Sequence, residues 1–190
     1  MSCAFEMTRA FEMSCAFEIR PAAAGDFPAI AAIYAEAVRT GTASFELDPP
    51  DVAEMRRRFA AVTAFGGPYL VAVGDGRVLG YAYAGAYRTR PAYRFTVEDS
   101  IYLDASARGR GVGRALLGRL IADCTAAGFR QMVAVIGDQA NAASIGLHAA
   151  LGFHMVGSLV STGWKHGRWL DSVLMQRPLG EGDGTPPPGR

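Results

Sequence analysis

Seven residues, Arg-Gly-Arg-Gly-Val-Gly-Arg at 108–114, hold three glycines and three arginines. They stand between an apolar run, Ile101 to Leu103, and a stretch whose apolar residues recur every three or four positions. Glycines at a strand-to-helix junction let a ligand approach the main chain closely. The first amides of the helix that follows have no partner inside it and carry partial positive charge, so they favour an anion. Arg108, Arg110 and Arg114 add charge of the same sign, and guanidinium groups pair well with phosphate oxygens. The spelling excludes two phosphate loops. No lysine follows the glycines as G-x-x-x-x-G-K-[ST] requires, and the position five residues after Gly109 is Arg114, after Gly111 Leu116, so G-x-G-x-x-G fails too. A pyrophosphate suits amides plus arginines; the plain alternative is a glycine-rich turn with solvated arginines.

The elements that must position this loop follow from periodicity. Phe17–Ala22 reads as a short strand, and Asp26 as the cap of a helix through Arg39 with Phe27, Ile30, Ile33, Tyr34, Ala37 and Val38 on one face. After a loop, Asp51 starts a second helix with Val52, Met55, Phe59 and Val62 apolar. Gly74-Asp75-Gly76 between two apolar runs signals a hairpin. Tyr93–Leu103 is a further strand. A helix from about Gly111 places Val112, Leu116, Leu120 and Cys124 four apart, with Leu117 and Ile121 beside them. Gln131–Ile136 is a strand, Asn141–Leu151 a short helix, and 152–160 and 170–177 are strands. The order β-α-α-β-β-β-α-β-α-β-β predicts an α/β chain with a mixed central sheet flanked by helices.

Composition narrows the function classes. A chain of 190 residues that is 50% hydrophobic suffices for one domain with a sizeable core. The net charge of +1 offers no basic surface for nucleic acid. No apolar run approaches the roughly eighteen residues that cross a bilayer, and the first residues, with no basic region before an apolar run, do not read as a secretory signal. Cys3, Cys15 and Cys124 lack metal-ligand spacing and read as free thiols of a cytoplasmic protein, with no metal expected. Residues 1–17 nearly repeat a six-residue unit and are expected to be an extension outside the fold. The domain is expected over 18–179, and the Gly- and Pro-rich residues 180–190 as a disordered tail.

Several segments, taken in order, resemble a known family. Arg108 to Gly113 spells Q/R-x-x-G-x-G/A after the strand Ser100–Leu103, similar to the acetyl-coenzyme A loop of the GCN5-related N-acetyltransferases (GNAT). Within that superfamily, "TGTASFE", "RPAYRFTVEDSIYL", "GFRQMVAVIGDQANAASIGLHAALGF" and "GWKHGRWLD" resemble the phosphinothricin and methionine sulfoximine acetyltransferases, over about Ile19 to Pro178. The resemblance implies the GNAT fold in a single domain and acetyl-CoA as co-substrate. It implies an N-acetyltransferase acting by direct attack of a small amino acid's α-amine on the thioester while both are bound, and a homodimer.

It also implies roles. Glu98 of the T-x-E segment is the base; its neighbour Asp99, on the opposite face, suits a surface carboxylate better. His148 stands where many relatives carry a tyrosine acid, and is either catalytic or a helix residue with a satisfied hydrogen bond. The coenzyme is expected on the backbone of Ile101, Tyr102 and Leu103, on Arg108, Gly109, Arg110, Gly111, Val112, Gly113 and Arg114, and on Asn141 and Ser144. The acceptor needs a cation for its carboxylate, from Arg88 or Arg94 with Tyr93, while Arg90 fits a solvated loop. Phe45 and Trp164 are candidate pocket walls or merely local packing. Lys165, His166 and the loop at 40–46 are candidate donors for a tetrahedral polar group at the far end. Two other readings stay open: acetylation of another amine such as a protein N-terminus, and a non-catalytic module that binds acyl-CoA.

Overall fold

Seven strands among the described residues pair into one sheet, in the order β1-β2-β3-β4-β5-β7-β6. The computed structural model describes residues 17–187. The repeats of residues 1–16, with Cys3 and Cys15, lie outside them, as do the last three positions. The strands are β1 (Glu18–Pro21), β2 (Tyr69–Gly74), β3 (Arg77–Ala86), β4 (Thr96–Leu103), β5 (Gln131–Gly137), β6 (His154–Lys165) and β7 (Arg168–Pro178). All neighbours are antiparallel except β4 and β5. The helices are α1 (Phe27–Thr40), α2 (Val52–Phe65), α3 (Val112–Ala126) and α4 (Ala142–Ala150). This is the expected mixed α/β architecture.

The sheet is covered on both sides because its strands carry apolar residues on both sides. One core joins α3 to the sheet through Leu116, Leu117, Leu120 and Cys124 against Val97, Met132, Ala134 and Val173, with Ile145 and Leu147 of α4 and Leu151 just after it packed on its edge. The other joins α1 and α2 to Tyr69, Val71 and Tyr81 through Phe27, Ile30, Tyr34, Val38, Met55 and Val62. The predicted apolar stripe of α3 is thus its buried face.

Caps and turns show how local chemistry sets the boundaries. Asp51 Oδ1 accepts the Glu54 amide at 2.7 Å and starts α2 as expected. Asp26 does not cap α1. Its carboxylate turns back to the Ala23 amide at 2.7 Å and to the Arg20 guanidinium, which grips both oxygens. Asp75 and Gly76, at φ of 50° and 70°, make the two-residue turn of the β2–β3 hairpin. His166 and Gly167, at 51° and 72°, make another. That turn was not foreseen, and it lets β6 run on to Lys165 and β7 start at Arg168. Tyr93, expected to open a strand, instead ends a short 3-10 turn at 91–93 that Pro91 starts with its fixed φ, and β4 begins only at Thr96. Phe17, expected in the extension, packs against the α3 core. Residues 180–187, expected to be disordered, hold to the body where Arg130 donates to Thr185 Oγ1 at 2.7 Å and to the Pro186 carbonyl at 3.1 Å.

The feature that shapes the site is a fork. β4 and β5 pair over only four positions, Thr96↔Gln131 to Asp99↔Ala134. Both strands continue, to Leu103 and Gly137, but apart from each other. β4 keeps β3 as its partner through Leu103↔Gly80, and β5 keeps β7 through Gly137↔Ser172. The edge of β4 that faces β5 is therefore open from Ser100 onward.

Candidate active site

The open edge lines a cleft of about 690 Å³. Its walls are Ile101, Tyr102 and Leu103 of β4, the start of α3, the first turns of α4, and Ala37 to Ala43 at the end of α1. The cleft gathers most of the expected coenzyme set: Ile101, Tyr102, Leu103, Arg108, Gly109, Gly111, Gly113, Arg114, Asn141 and Ser144. Val112 is fully buried in the core, so only its amide faces the loop, and Arg110 is exposed without lining the cleft.

The glycine loop has the shape its composition suggested. Gly109 and Gly111 take φ of 72° and 80°, a region costly for residues with a Cβ, and a Cβ built on either would meet only open space. Gly111 caps α3, and the first intrahelical bond runs from Ala115 N–H to the Gly111 carbonyl at 3.1 Å. The amides of Val112, Gly113 and Arg114 precede that bond, at the positive end of a fifteen-residue helix. Asn141 caps α4 by accepting the Ser144 amide at 3.2 Å. Open backbone edge, free amides and flanking arginines together fit a long ligand that carries amides and a pyrophosphate.

Below the cleft, two adjacent carboxylates sit at the fork on opposite faces of β4. Glu98 is half-buried on the α1–α2 side with Ser100, Tyr102 and Tyr83. Burial pushes its carboxyl above the usual carboxylate range, Asp99 adds to the rise, and Arg88 opposes it. Near Tyr83 stand Glu46 and Arg58; Glu46 accepts from Arg58 at 2.6 Å and from the Tyr34 hydroxyl at 2.9 Å. Asp99 corrects an expectation: it is 6% exposed, not a surface group, and its Oδ2 lies 3.0 Å from His148 Nε2. A strand covered by helices on both sides has no solvent face, which alternation alone cannot reveal. A second cavity, of about 50 Å³, lies at this point and shares Ala43, Ile101, Tyr102, Asn141 and Ser144 with the cleft.

The expected acceptor residues divide. Arg88 interacts chiefly with the Tyr87 hydroxyl and more weakly with Tyr93 and Glu98; its guanidinium lies 5.1 Å from the centre of the Tyr87 ring, which in turn meets Tyr93 edge-on at 5.8 Å. Arg94 lies over Phe95 at 4.5 Å and bonds the Pro91 carbonyl at 3.3 Å, within its own turn. Phe45 and Trp164 do not share a wall. Gly163 and Lys165 face the loop at 41–47, where the Phe45 ring occupies the space a Gly163 side chain would need. Trp164, between them, points the other way and meets Trp169 edge-on. Lys165 Nζ donates to the Ser44 carbonyl at 2.7 Å and His166 Nε2 to the Gly41 carbonyl at 3.2 Å. Both tie the loop down. Sequence reasoning also missed Asp138, which lines the cleft at φ 69°, bonds the Ala140 amide at 3.0 Å and pairs with Arg168; an aspartate in "GDQAN" was the available signal. Among the described residues, no group of three or more His, Cys, Asp or Glu is placed to hold a metal ion.

Comparison with known proteins agrees with this geometry. The model of the acetyltransferase (GNAT) family matches residues 30–153. The chain is 61% identical over 162 residues to a phosphinothricin N-acetyltransferase of Alcaligenes faecalis, covering 85% of this chain and 82% of that one. It is 45% identical over 159 residues to an L-methionine sulfoximine/L-methionine sulfone acetyltransferase of Pseudomonas aeruginosa, covering 83% and 92%. A crystal structure of a phosphinothricin acetyltransferase from Sinorhizobium meliloti in complex with acetyl-CoA superposes with a TM-score of 0.88 at 55% identity, covering 90% of this chain and 93% of that one. With a fork in the sheet, a glycine-arginine loop at a helix start and these relatives, the chain belongs to the GNAT family of acetyltransferases.

Proposed function

We propose that this acetyl-CoA-dependent N-acetyltransferase acts on the α-amine of a small amino acid whose side chain ends in a tetrahedral polar group, of the phosphinothricin, methionine sulfoximine or methionine sulfone type. The observation that carries the reading is the fork, with Glu98 and Asp99 at the point where β4 and β5 part. Acetyl-CoA, when bound, supplies an acetyl group activated as a thioester. The open β4 edge at 101–103 pairs with the pantetheine amides as an added strand would. The amides and arginines of 108–114 take the pyrophosphate, and Asn141 and Ser144 flank the pantetheine. Glu98, raised by burial, takes a proton from the acceptor ammonium directly or through one water. Arg88, beside Glu98, holds the acceptor carboxylate. His148 holds a proton for the leaving thiolate. The exposed apolar residues of β6 and β7 support a homodimer, and the free thiol of Cys124 a reducing cytoplasm.

An acceptor panel tests the assignment. Donors arranged for sulfonyl or phosphinyl oxygens are left unpaired by a thioether, which costs about 1–3 kcal/mol per donor, or roughly five- to 150-fold in kcat/KM. Methionine sulfone and sulfoximine are therefore expected to be acetylated far better than methionine. Arg88→Ala is expected to slow an amino acid acceptor and hardly affect its carboxyl-free amine. Equal rates for methionine and its sulfone would remove the substrate class, and no thiol release with any amine would leave an acyl-CoA-binding module.

A further inference from the structure

Asp138 is out of place both by charge and by backbone. It lines a cleft whose proposed ligand is a polyanion, and its φ of 69° is uncommon for a residue with a Cβ. Such a conformation persists where the surroundings over-determine it. The Asp138 amide donates to the Asp171 carbonyl at 2.8 Å, and the Asp138 carbonyl accepts the Asn141 amide at 2.9 Å. The carboxylate, its side chain 8% exposed, accepts the Ala140 amide on Oδ1 at 3.0 Å and the Arg168 guanidinium on Oδ2. The Ala140 bond, with Arg168 and the Thr42 hydroxyl, holds that carboxyl below the usual carboxylate range against the effect of burial.

These partners come from three elements that meet at the cleft. Ala140 and Asn141 lead into α4, Thr42 belongs to the loop after α1, and Arg168 opens β7 at the tip of the β6–β7 hairpin. Ala140, Asn141 and Thr42 themselves line the cleft. α4 packs with the α3 core on one face of the sheet, and the loop follows α1, which packs on the other, so Asp138 joins the two lips. A second observation places strand and loop in direct contact beside it: a Cβ on Gly137 would collide with the Thr42 carbonyl oxygen. The hairpin tip also holds the loop through Lys165 and His166, which bond the Ser44 and Gly41 carbonyls.

We propose that Asp138 is a positioning residue for the coenzyme: with Arg168 as its counter-ion, it clasps the loop after α1 to the leader of α4 and so fixes the width of the cleft between Thr42 and Asn141. This rests on acetyl-CoA lying in the cleft, as the acetyl-transfer reading above has it. The carboxylate gives the coenzyme nothing directly, since like charges repel. It acts by holding the walls, so that Asn141 and Ser144 on one lip and Thr42 and Ala43 on the other meet the ligand at one separation. Arg168 neutralises the carboxylate and keeps its charge from the phosphates. Charge alone and a clasp therefore predict opposite signs. Removing a negative charge beside a polyanion tightens binding where only the field acts. Where the clasp acts, removing it loosens binding.

The test is calorimetry of acetyl-CoA with Asp138→Asn and Arg168→Gln, singly and together. Asparagine tolerates a positive φ and its side-chain oxygen still accepts the Ala140 amide, so that variant removes the charge and little else. Each single variant is expected to raise the Kd and KM for acetyl-CoA about fivefold, the low end for coupling between sites, with kcat and the acceptor KM near wild type. The double variant is expected to bind no more weakly than either single one, because both remove the same interaction. The amide NMR signals of Thr42 and Asn141 are expected to move in both. Tighter binding by Asp138→Asn, wild-type affinity in Arg168→Gln, or effects that multiply in the double variant overturn the proposal. Should Asp138→Asn not fold, Arg168→Gln decides, its side chain being 53% exposed, and unmoved Thr42 and Asn141 signals there overturn the clasp. Wild-type Thr42 and Asn141 signals that ignore acetyl-CoA remove the coenzyme from the cleft, and the proposal with it.

Discussion

At the scale of residues, the site turns on which neighbours each carboxylate has. Glu98 was legible in the sequence because a T-x-E segment before a glycine-arginine loop carries a family signature. Asp99 was not, since strand alternation separates two faces without saying that both are covered. Their environments differ: Glu98 is half-buried with the charge of Arg88 acting on it, and Asp99 is fully buried against the His148 ring. Glu98→Gln is expected to keep coenzyme binding and lower kcat by about 10²- to 10⁴-fold, as a lost general base does, with calorimetry and steady-state kinetics as the measurements. The pH sign follows from the raised carboxyl. Glu98 is ionised only above its raised value, so wild-type kcat/KM should fall as pH drops through a point above the ordinary value of about 4.3. Arg88 holds that value down, so in Arg88→Gln the fall should begin at higher pH. An unchanged profile would separate Arg88 from Glu98.

Elements decide whether the cleft keeps its wall. The loop at 41–47 has little periodicity, yet Lys165 and His166 bond its carbonyls and Phe45 lies over two glycines, Gly137 and Gly163. Thr42 and Ala43 of the same loop line the cleft proposed for the coenzyme. A Cβ at Gly163 would enter the Phe45 ring, so Gly163→Ala must shift that ring or the loop under it. Overpacking of this kind costs about 1–3 kcal/mol. We expect a lower Tm and a weaker acetyl-CoA Kd, with α3 and its glycine loop unaltered by circular dichroism and NMR. Wild-type affinity in a destabilised variant would show that the loop does not wall the coenzyme. The sequence pointed to the aromatic and the lysine but not to their use. Phe45 and Lys165 are 120 positions apart, and only the hairpin turn at His166–Gly167 brings β6 over the loop.

For the whole molecule, the long β6–β7 hairpin ends the sheet with β6 as its outer strand and leaves Met155, Val156, Leu159, Val160, Trp164 and Trp169 at least half exposed. Such a strip on an edge strand favours a partner. Light scattering at micromolar concentration is expected to give twice the chain's 20.1 kDa, and Val160→Glu, at a position 74% exposed, to lower it toward one chain without loss of fold. A wild-type mass of one chain would sink the dimer.

The sequence by itself determined the helices, most strands and the glycine-arginine loop at the start of α3, because these are local. Helix stripes, the Asp51 and Asn141 caps, the Asp75–Gly76 turn and the glycine-arginine run each act within a few residues of chain. Tertiary structure alone decided where β4 and β5 part, because a strand's pattern is the same whether its edge is paired or open. It decided that Asp99 meets His148 across 49 positions, that Asp26 serves Arg20 rather than a helix amide, and that Trp164 faces away from Phe45. In each case the outcome depends on which groups the packed sheet and helices bring within hydrogen-bond or van der Waals reach, and sequence spacing does not encode that distance.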